Sequence, residues 1–335
     1  MIVIRPRHAC RAVPAKEKLT MSLSESTVFA NGSFTKYDDA RVGLLTHGLN
    51  YGTGCFEGIR GYWNPDDREL YLLQLRDHYE RLHDSARILL MKLPHSVDEL
   101  IALTLELCAR NRFEENIYIR PLVYKALEDV GVKLAGVPDG FAIIGVPFGR
   151  YFDAESGLKA GTSSWRRIDD TMAPARAKAT GAYINSALAK SEALMNGFDE
   201  AIMLSQDGHV SEGSASNVFV VRKGTVFTPD ASQNVLEGIT RRNVMRIVRE
   251  DIGVPVIERG IDRSELYAAD ELFLSGTAAG VTFIASVDHR PVGDGSMGPI
   301  TRELTAIFER MTLGREPKYR DLLTPAYAKR KVQVA

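Results

Sequence analysis

An α+β fold in two units is what this sequence predicts, and three observations carry it. Strand-like and helix-like segments mix in the first half without the regular β-α alternation of a parallel sheet. A polar, glycine-bounded stretch at residues 149–161 then reads as a linker between packed units. The second half brings strands, a hairpin and amphipathic helices of its own, and with 335 residues, 44% of them hydrophobic, the chain can fill more than one core.

The elements follow in order. Residues 1–20 carry Arg5, Arg7 and Arg11 and no acid before Glu17, without the serine content or amphipathic period of a targeting peptide, and read as a flexible extension. A small α+β domain is expected over 21–148. It opens with a hairpin across 27–42, turning at Asn31-Gly32. A helix at 77–90 puts Tyr79, Leu82, Ala86, Leu89 and Leu90 on one face, and a second begins with the capping box of Ser96 and Glu99 and runs to about Arg110. Residues 117–124 and 141–147 are buried strands.

The larger domain, 162–335, starts with a small-residue segment at 172–197 whose latter part is helical, then a strand at 200–204 and a turn at Asp207-Gly208. Strands at 218–221 and 225–228 flank Lys223-Gly224 as a hairpin. A helix at 240–251 buries Val244, Ile247 and Val248; strands follow at 271–274 and 282–287, and a last helix uses Ile300, Leu304, Ile307, Phe308 and Met311 as its core stripe.

Composition narrows the function. Lysine plus arginine (42) balance aspartate plus glutamate (43), so no charge excess draws the chain to nucleic acid or an anionic membrane, and a small-molecule ligand is expected. No apolar run reaches the roughly 20 residues of a membrane helix. The cysteines, Cys10, Cys55 and Cys108, are odd in number and far apart, which argues against disulfides and fits a reducing cytoplasm. No metal is expected: His78 and His83 are five apart on a helix and do not share a face. The basic run Lys329-Arg330-Lys331 reads as a solvated terminus.

Gly293-Asp294-Gly295-Ser296-Met297-Gly298 matches the dinucleotide fingerprint G-x-G-x-x-G. It lacks the second parallel strand with an acidic residue about 20 positions on, so its glycines read as a turn and Pro299 as the first helical residue.

The informative segment is 173–183, Ala-Pro-Ala-Arg-Ala-Lys-Ala-Thr-Gly-Ala-Tyr, which sets Lys178 among residues with almost no side chain. A lysine that loses hydration in such a pocket shifts toward the neutral nucleophile that Schiff-base chemistry requires; one left in water is only a linker residue. Ser211-Glu212-Gly213-Ser214-Ala215-Ser216-Asn217 offers a carboxylate that either faces the nitrogen of a pyridine ring or points to water from a turn. Leu236-Glu237-Gly238-Ile239-Thr240-Arg241 opens a helix, and its free backbone N–H groups and the Thr240 hydroxyl suit a phosphate. Ser275-Gly276-Thr277-Ala278-Ala279-Gly280 is a similar donor-rich turn after a strand.

These four segments, with His47-Gly48-Leu49-Asn50-Tyr51-Gly52 and Phe56-Glu57-Gly58-Ile59-Arg60, resemble the class IV (fold type IV) pyridoxal-phosphate-dependent aminotransferases, most closely the bacterial branched-chain amino acid aminotransferases. The resemblance spans residues 29–308 in the family's order and spacing, including a tyrosine five residues after the lysine. It implies a two-domain D-amino acid aminotransferase-like fold whose larger domain binds pyridoxal 5'-phosphate.

Lys178 would be the cofactor-bearing lysine and acid-base catalyst, Glu212 the partner of the pyridine nitrogen, and Tyr183 that of the phenolic oxygen. Arg81, from Glu80-Arg81-Leu82-His83, would hold the phosphate with Ile239, Thr240 and Thr277, and Leu236 would belong to the same cofactor site. Tyr118, Arg60 and the backbone of Thr277 and Ala278 would meet the substrate carboxylate. Phe56, Gly58 and Phe148 would shape the side-chain pocket, and Arg120 would help a second carboxylate. Tyr51 and the loop around Val132 would reach across a homodimer, or higher oligomer, to the other subunit's site.

The implied reaction moves the amino group of L-leucine, L-isoleucine or L-valine to 2-oxoglutarate. Ser214-Ala215-Ser216 is more similar to D-amino acid aminotransferases, which leaves D-amino acid, (R)-amine and aminodeoxychorismate chemistry on the same fold as alternatives, and a non-catalytic cofactor carrier as a remote one.

Overall fold

The structure, a computed structural model, describes residues 23–149 and 156–328. The N-terminal extension with Cys10, residues 150–155 of the expected linker, and the basic run at 329–331 lie outside the described residues.

Two sheets organise the chain, and both helices and strands serve each. The first holds eight strands in the order Leu323–Pro325, Glu69–Leu73, Ile59–Asn64, Ile117–Lys125, Asp139–Pro147, Thr27–Ala30, Ser33–Lys36, with Gly54–Phe56 also on Ile117–Lys125; every pairing is antiparallel. Its spine is the long pair Ile117–Lys125 and Asp139–Pro147, registered from Ile117 opposite Pro147 to Lys125 opposite Asp139. Side chains on a strand alternate faces. Ile117, Ile119 and Val123 therefore go into a core with Tyr79, Leu82, Leu100 and Leu107 from the helices Leu75–Ile88 and Val97–Asn111, while Tyr118 and Arg120 are sent to the opposite face. That opposite face carries the site.

The second sheet has nine strands, ordered Val210–Gly213, Glu200–Leu204, Leu158–Thr162, Gly280–Val287, Glu271–Gly276, Asn217–Arg222, Thr225–Thr228, Val256–Glu258, with Arg290–Pro291 on Gly280–Val287. Phe219, Val221 and Phe273 on one face bury the helices Ile239–Ile247 and Pro299–Thr312 through Val244, Ile247, Leu304, Phe308 and Met311. Tyr71 and Leu73 of the first sheet enter this same core, whereas Leu70 and Leu72 enter the other. All five residues of Glu69–Leu73 are thus buried, on two faces at once, which leaves no polar alternation in the sequence to mark a strand.

The hairpin at Asn31-Gly32, both expected helices of the first half and the two central strands are present, and both arms of the Ser96–Glu99 capping box form. The helix ends earlier than its apolar stripe suggests. Leu89 is its cap and Leu90 turns left-handed (φ 54°) and out to solvent, because Met91 rather than Leu90 returns to the core. Residues 158–161 of the expected linker, with Thr162, form the strand Leu158–Thr162, parallel to Glu200–Leu204 and Gly280–Val287. Near the other end, Leu323–Pro325 pairs with Glu69–Leu73 while Leu323 stays in the second sheet's core.

Candidate active site

Residues from both sheets converge where the strand ends of the second meet the open face of the first. Arg60 and Tyr118 are directly opposite each other on neighbouring strands, so the register alone sets them side by side on the site face. Phe148 packs on Tyr118 (ring centroids 5.4 Å) and lies under the Arg60 guanidinium at 4.8 Å. The Arg60 side chain is buried, donates Nη1 to the Gly149 carbonyl at 3.3 Å, and has no hydrogen-bond partner for Nε among the described residues. A buried guanidinium with an unused N–H is suited to a carboxylate. Burial lowers its pKa from the usual arginine value, with the hydroxyls of Tyr62 and Tyr118 acting the other way.

Gly58 completes this group for a steric reason: a β-carbon there would sit 2.2 Å from the Tyr118 hydroxyl. Arg120, one tooth further along the same face, donates Nη2 to that hydroxyl at 3.1 Å and covers the Phe56 ring at 4.5 Å.

Lys178 is held at its backbone from two sides. Its N–H donates to Ser85 Oγ (3.2 Å) and its carbonyl accepts from the Phe56 N–H (3.1 Å). Its half-buried side chain runs between the rings of Phe56 and Tyr183, and Nζ donates to the Tyr183 hydroxyl at 2.8 Å. Tyr183 is the first residue of the helix Tyr183–Met195, which explains the five-residue spacing: four residues of turn bring the chain back over the lysine. Gly52 braces the turn. It is left-handed (φ 65°), a β-carbon on it would meet the Gly181 Cα at 2.8 Å, and its carbonyl accepts from Thr180 Oγ1 at 2.7 Å. Gly52→Ala is expected to destabilise by about 1–2 kcal/mol and to lower activity with it, since the contact must open against the lysine segment. Urea unfolding measures this, and an unchanged midpoint would contradict it.

From the second sheet comes Glu212, in a strand rather than an exposed turn, and buried. Oε1 pairs with Arg167 Nε at 2.9 Å; Oε2 accepts from the Leu236 N–H (3.1 Å) and from Asn217 Nδ2 (3.3 Å). Burial raises its pKa, against the pull of Arg167, the Leu236 N–H, Lys178 and Arg241. An ionised Glu212 is therefore short of positive partners, and a protonated ring nitrogen is one.

Two helix N-termini carry glycine-rich approaches, and the structure separates them. At Pro299–Thr312 the Glu271 carboxylate already accepts from the N–H groups of Ile300 (3.1 Å) and Thr301 (2.8 Å) and the Thr301 hydroxyl (2.6 Å), leaving no room for a pyrophosphate behind Gly298. At Ile239–Ile247 the N-cap is Gly238, and among the described residues no side chain caps the end, although Ile239 and Thr240 are buried. Buried N–H groups at a helix start require an acceptor. Ile239 and Thr240 share a narrow cleft with Arg60, His78 and Thr277, and Arg81 donates Nη1 to the carbonyl of Glu237, two residues before Ile239, at 2.9 Å. Thr277 and Ala278 lie in the tight turn between Glu271–Gly276 and Gly280–Val287, next to the turn at 214–216. The buried hydroxyls of Ser216 and Ser275 have no partner among the described residues.

This donor set fits the cofactor that the resemblance implies: an uncapped buried helix end and an arginine for the phosphate, a tyrosine and a lysine together, and a carboxylate at the far side. Tyr51 and Val132 are elsewhere. Tyr51 is partly exposed and accepts from the Gly131 N–H at 3.2 Å, and Val132 is 76% exposed on the same loop pair. Glu57, His78, Arg167, Asn217 and Ser85 join the site although none of them has a role in it by sequence alone, since each is recognisable as a site residue only through a partner more than four residues away. Glu57, a charge flanked by apolar and glycine residues, carried a weak signal of burial.

The family model for class IV aminotransferases matches residues 54–287. Among curated proteins, the probable branched-chain-amino-acid aminotransferase of Aquifex aeolicus (strain VF5) is 44% identical over 308 residues, covering 92% of this chain and 99% of its own. Among solved structures, the branched-chain aminotransferase of Thermoproteus uzoniensis with norvaline superposes with a TM-score of 0.86 at 44% identity, covering 90% of this chain and 99% of its own. The branched-chain amino acid aminotransferase of Thermobaculum terrenum in its PLP form gives 0.87 at 39% identity, with 91% and 99% covered.

Proposed function

The chain belongs to the class IV aminotransferases, as a branched-chain-amino-acid aminotransferase working through pyridoxal 5'-phosphate, and from that premise we propose which of its residues do what. Lys178 binds the cofactor and, once free, moves the proton. The observation that carries this is the Lys178 Nζ to Tyr183 hydroxyl contact of 2.8 Å, at the point where both sheets contribute side chains. The cofactor supplies the aldehyde that takes up the amino group and the ring that accepts the electrons left at the α-carbon.

Arg81, the N–H groups of Ile239 and Thr240, and Thr277 hold the phosphate. Glu212, backed by Arg167, Asn217 and the N–H of Leu236, keeps the ring nitrogen protonated, and the Tyr183 hydroxyl meets the phenolic oxygen. Arg60, Tyr118 and the backbone of Thr277 and Ala278 take the α-carboxylate, which turns the α-hydrogen toward Lys178 Nζ for removal. Phe56, Gly58 and Phe148 exclude water around the aliphatic side chain of leucine, isoleucine or valine. When 2-oxoglutarate enters, Arg120 accepts its second carboxylate. Arg120 is exposed at the rim, so an aliphatic substrate leaves it in water at little cost.

The working unit in this reading is a homodimer in the cytoplasm, its cofactor carried on the unit from residue 162 onward. Leu44, Leu45, Leu49 and Val130, near Tyr51 and Val132 in the sequence, are exposed apolar side chains, and the Tyr51 hydroxyl accepts from the Gly131 N–H, which supports a second copy covering them. No helix among the described residues is long and apolar enough to cross a membrane.

The visible spectrum during separate additions of L-leucine, D-alanine and an (R)-amine, with no 2-oxo acid present, tests the assignment. Rapid loss of the bound cofactor's visible band with L-leucine alone is expected. Loss with D-alanine or the amine only would retain Lys178 and Glu212 and overturn the substrate.

A further inference from the structure

We propose that Glu57, together with His78, is a positioning residue for the cofactor phosphate: it fixes the Arg81 guanidinium so that its free edge faces the phosphate. The inference rests on the reading of Arg81 as a phosphate ligand and goes beyond it by naming what aims that ligand.

Glu57 lies in the break between the strands Gly54–Phe56 and Ile59–Asn64. Its neighbours face the reaction centre, Phe56 against Tyr183 and Lys178 and Gly58 against Tyr118, while its own side chain turns into the helix Leu75–Ile88. There Oε1 accepts from Arg81 Nε at 2.6 Å, and Oε2 accepts from Arg81 Nη2 at 2.9 Å. His78, one helical turn before Arg81, places Nδ1 2.7 Å from Oε2. An ionised carboxylate has no proton to give, so His78 donates. Glu57 is fully buried. Burial alone would push its pKa up, but the Arg81 charge and the hydrogen bonds from His78 and Arg81 outweigh that and hold it well below the usual carboxylate range. Burial lowers the His78 pKa despite the carboxylate, so the imidazole donates as a neutral group and leaves the positive charge to Arg81.

Counting donors shows what the arrangement leaves. A guanidinium has five N–H bonds. Two go side-on to Glu57 and one, from Nη1, to the Glu237 carbonyl. The remaining two, one on each Nη, are left for an oxyanion group, beside the uncapped start of Ile239–Ile247. Without the carboxylate, the guanidinium keeps its charge but is free to turn about its last side-chain bonds. The same short segment hydrogen-bonds the Lys178 carbonyl through Phe56, so phosphate grip, lysine and substrate pocket share one rigid stretch of backbone.

The test uses the full chain stripped of cofactor, with binding of pyridoxal 5'-phosphate and of unphosphorylated pyridoxal each measured by equilibrium dialysis. Glu57→Gln keeps the shape and removes the charge. It is expected to weaken pyridoxal 5'-phosphate binding on the order of ten-fold and to leave pyridoxal within about two-fold. Arg81→Gln serves as reference and is expected to show the same selectivity with a larger loss.

A selective loss in both variants supports the proposal. If Arg81→Gln is selective and Glu57→Gln weakens both compounds equally or neither, Glu57 is only a neutraliser and the proposal falls, while Arg81 keeps its role. If Arg81→Gln shows no preference for the phosphorylated compound, the phosphate reading fails and the proposal with it. Should Glu57→Gln not fold, Glu57→Asp retains the charge but loses the reach; selective weakening is again expected, and a uniform change overturns the proposal.

Discussion

Lys178→Ala is expected to lose turnover by about four orders of magnitude or more, because on the proposed assignment the variant would lack both the amine that binds the cofactor and the base that removes the α-proton. The fold should survive. Both backbone bonds of Lys178, to Ser85 and from Phe56, are available to any residue, and the side chain contributes one hydrogen bond, to Tyr183, in a half-buried position. A loss within about 1 kcal/mol is therefore expected on unfolding. The assay is the overall reaction from L-leucine to 2-oxoglutarate, with circular dichroism and urea unfolding alongside. An active, folded Lys178→Ala protein would sink the assignment of the catalytic base.

Glu212→Gln is expected to lower kcat by about 100-fold, which corresponds to ~2.7 kcal/mol of transition-state stabilisation. The physical reason is charge in a dry place. Glu212 is buried, and the structure already spends three donors on it, from Arg167, Leu236 and Asn217. Burial nonetheless raises its pKa above the usual value, so on the proposed assignment the carboxylate would bind a proton-bearing ring nitrogen strongly. Glutamine keeps an oxygen for the Leu236 N–H and cannot hold the ring nitrogen's proton by charge. Measured half-reactions should show the loss in both directions, with L-leucine and with 2-oxoglutarate, since both pass through the same electron-poor ring. A loss confined to KM would mean that Glu212 only shapes the pocket.

The two expectations differ in what they disturb. Lys178 lies between the Phe56 and Tyr183 rings and pairs with one hydroxyl, whereas Glu212→Gln also leaves the nearly buried Arg167 with a neutral partner. A stability loss beyond about 1 kcal/mol accompanying the rate loss is expected only in the second variant, and comparison of the two separates chemistry from packing.

Much of the fold was legible locally. The capping box of Ser96 and Glu99, the turns at Asn31-Gly32 and Lys223-Gly224, the alternation through Ile117–Lys125 and the apolar stripe of Pro299–Thr312 are short-range signals, set by backbone conformation and side-chain period. The lysine with its tyrosine, the glutamate before a strand and the glycine-threonine helix start were also readable, because each is a local motif. Strands buried on both faces, such as Glu69–Leu73 and Gly54–Phe56, carry no alternation and were not.

What the sequence by itself determined is which residue types are presented at which turns and strand ends: Lys178, Glu212, Thr240 and the Thr277 turn. The tertiary structure alone decided which of two similar helix starts stays open. Glu271 fills one from a strand 29 residues away, and no side chain among the described residues fills the other. It also decided that Arg81 is aimed by Glu57 and Glu212 is backed by Arg167, across 24 and 45 positions of chain. Charges buried at a site must be paired, and their partners are chosen by distance in space, which no local pattern records.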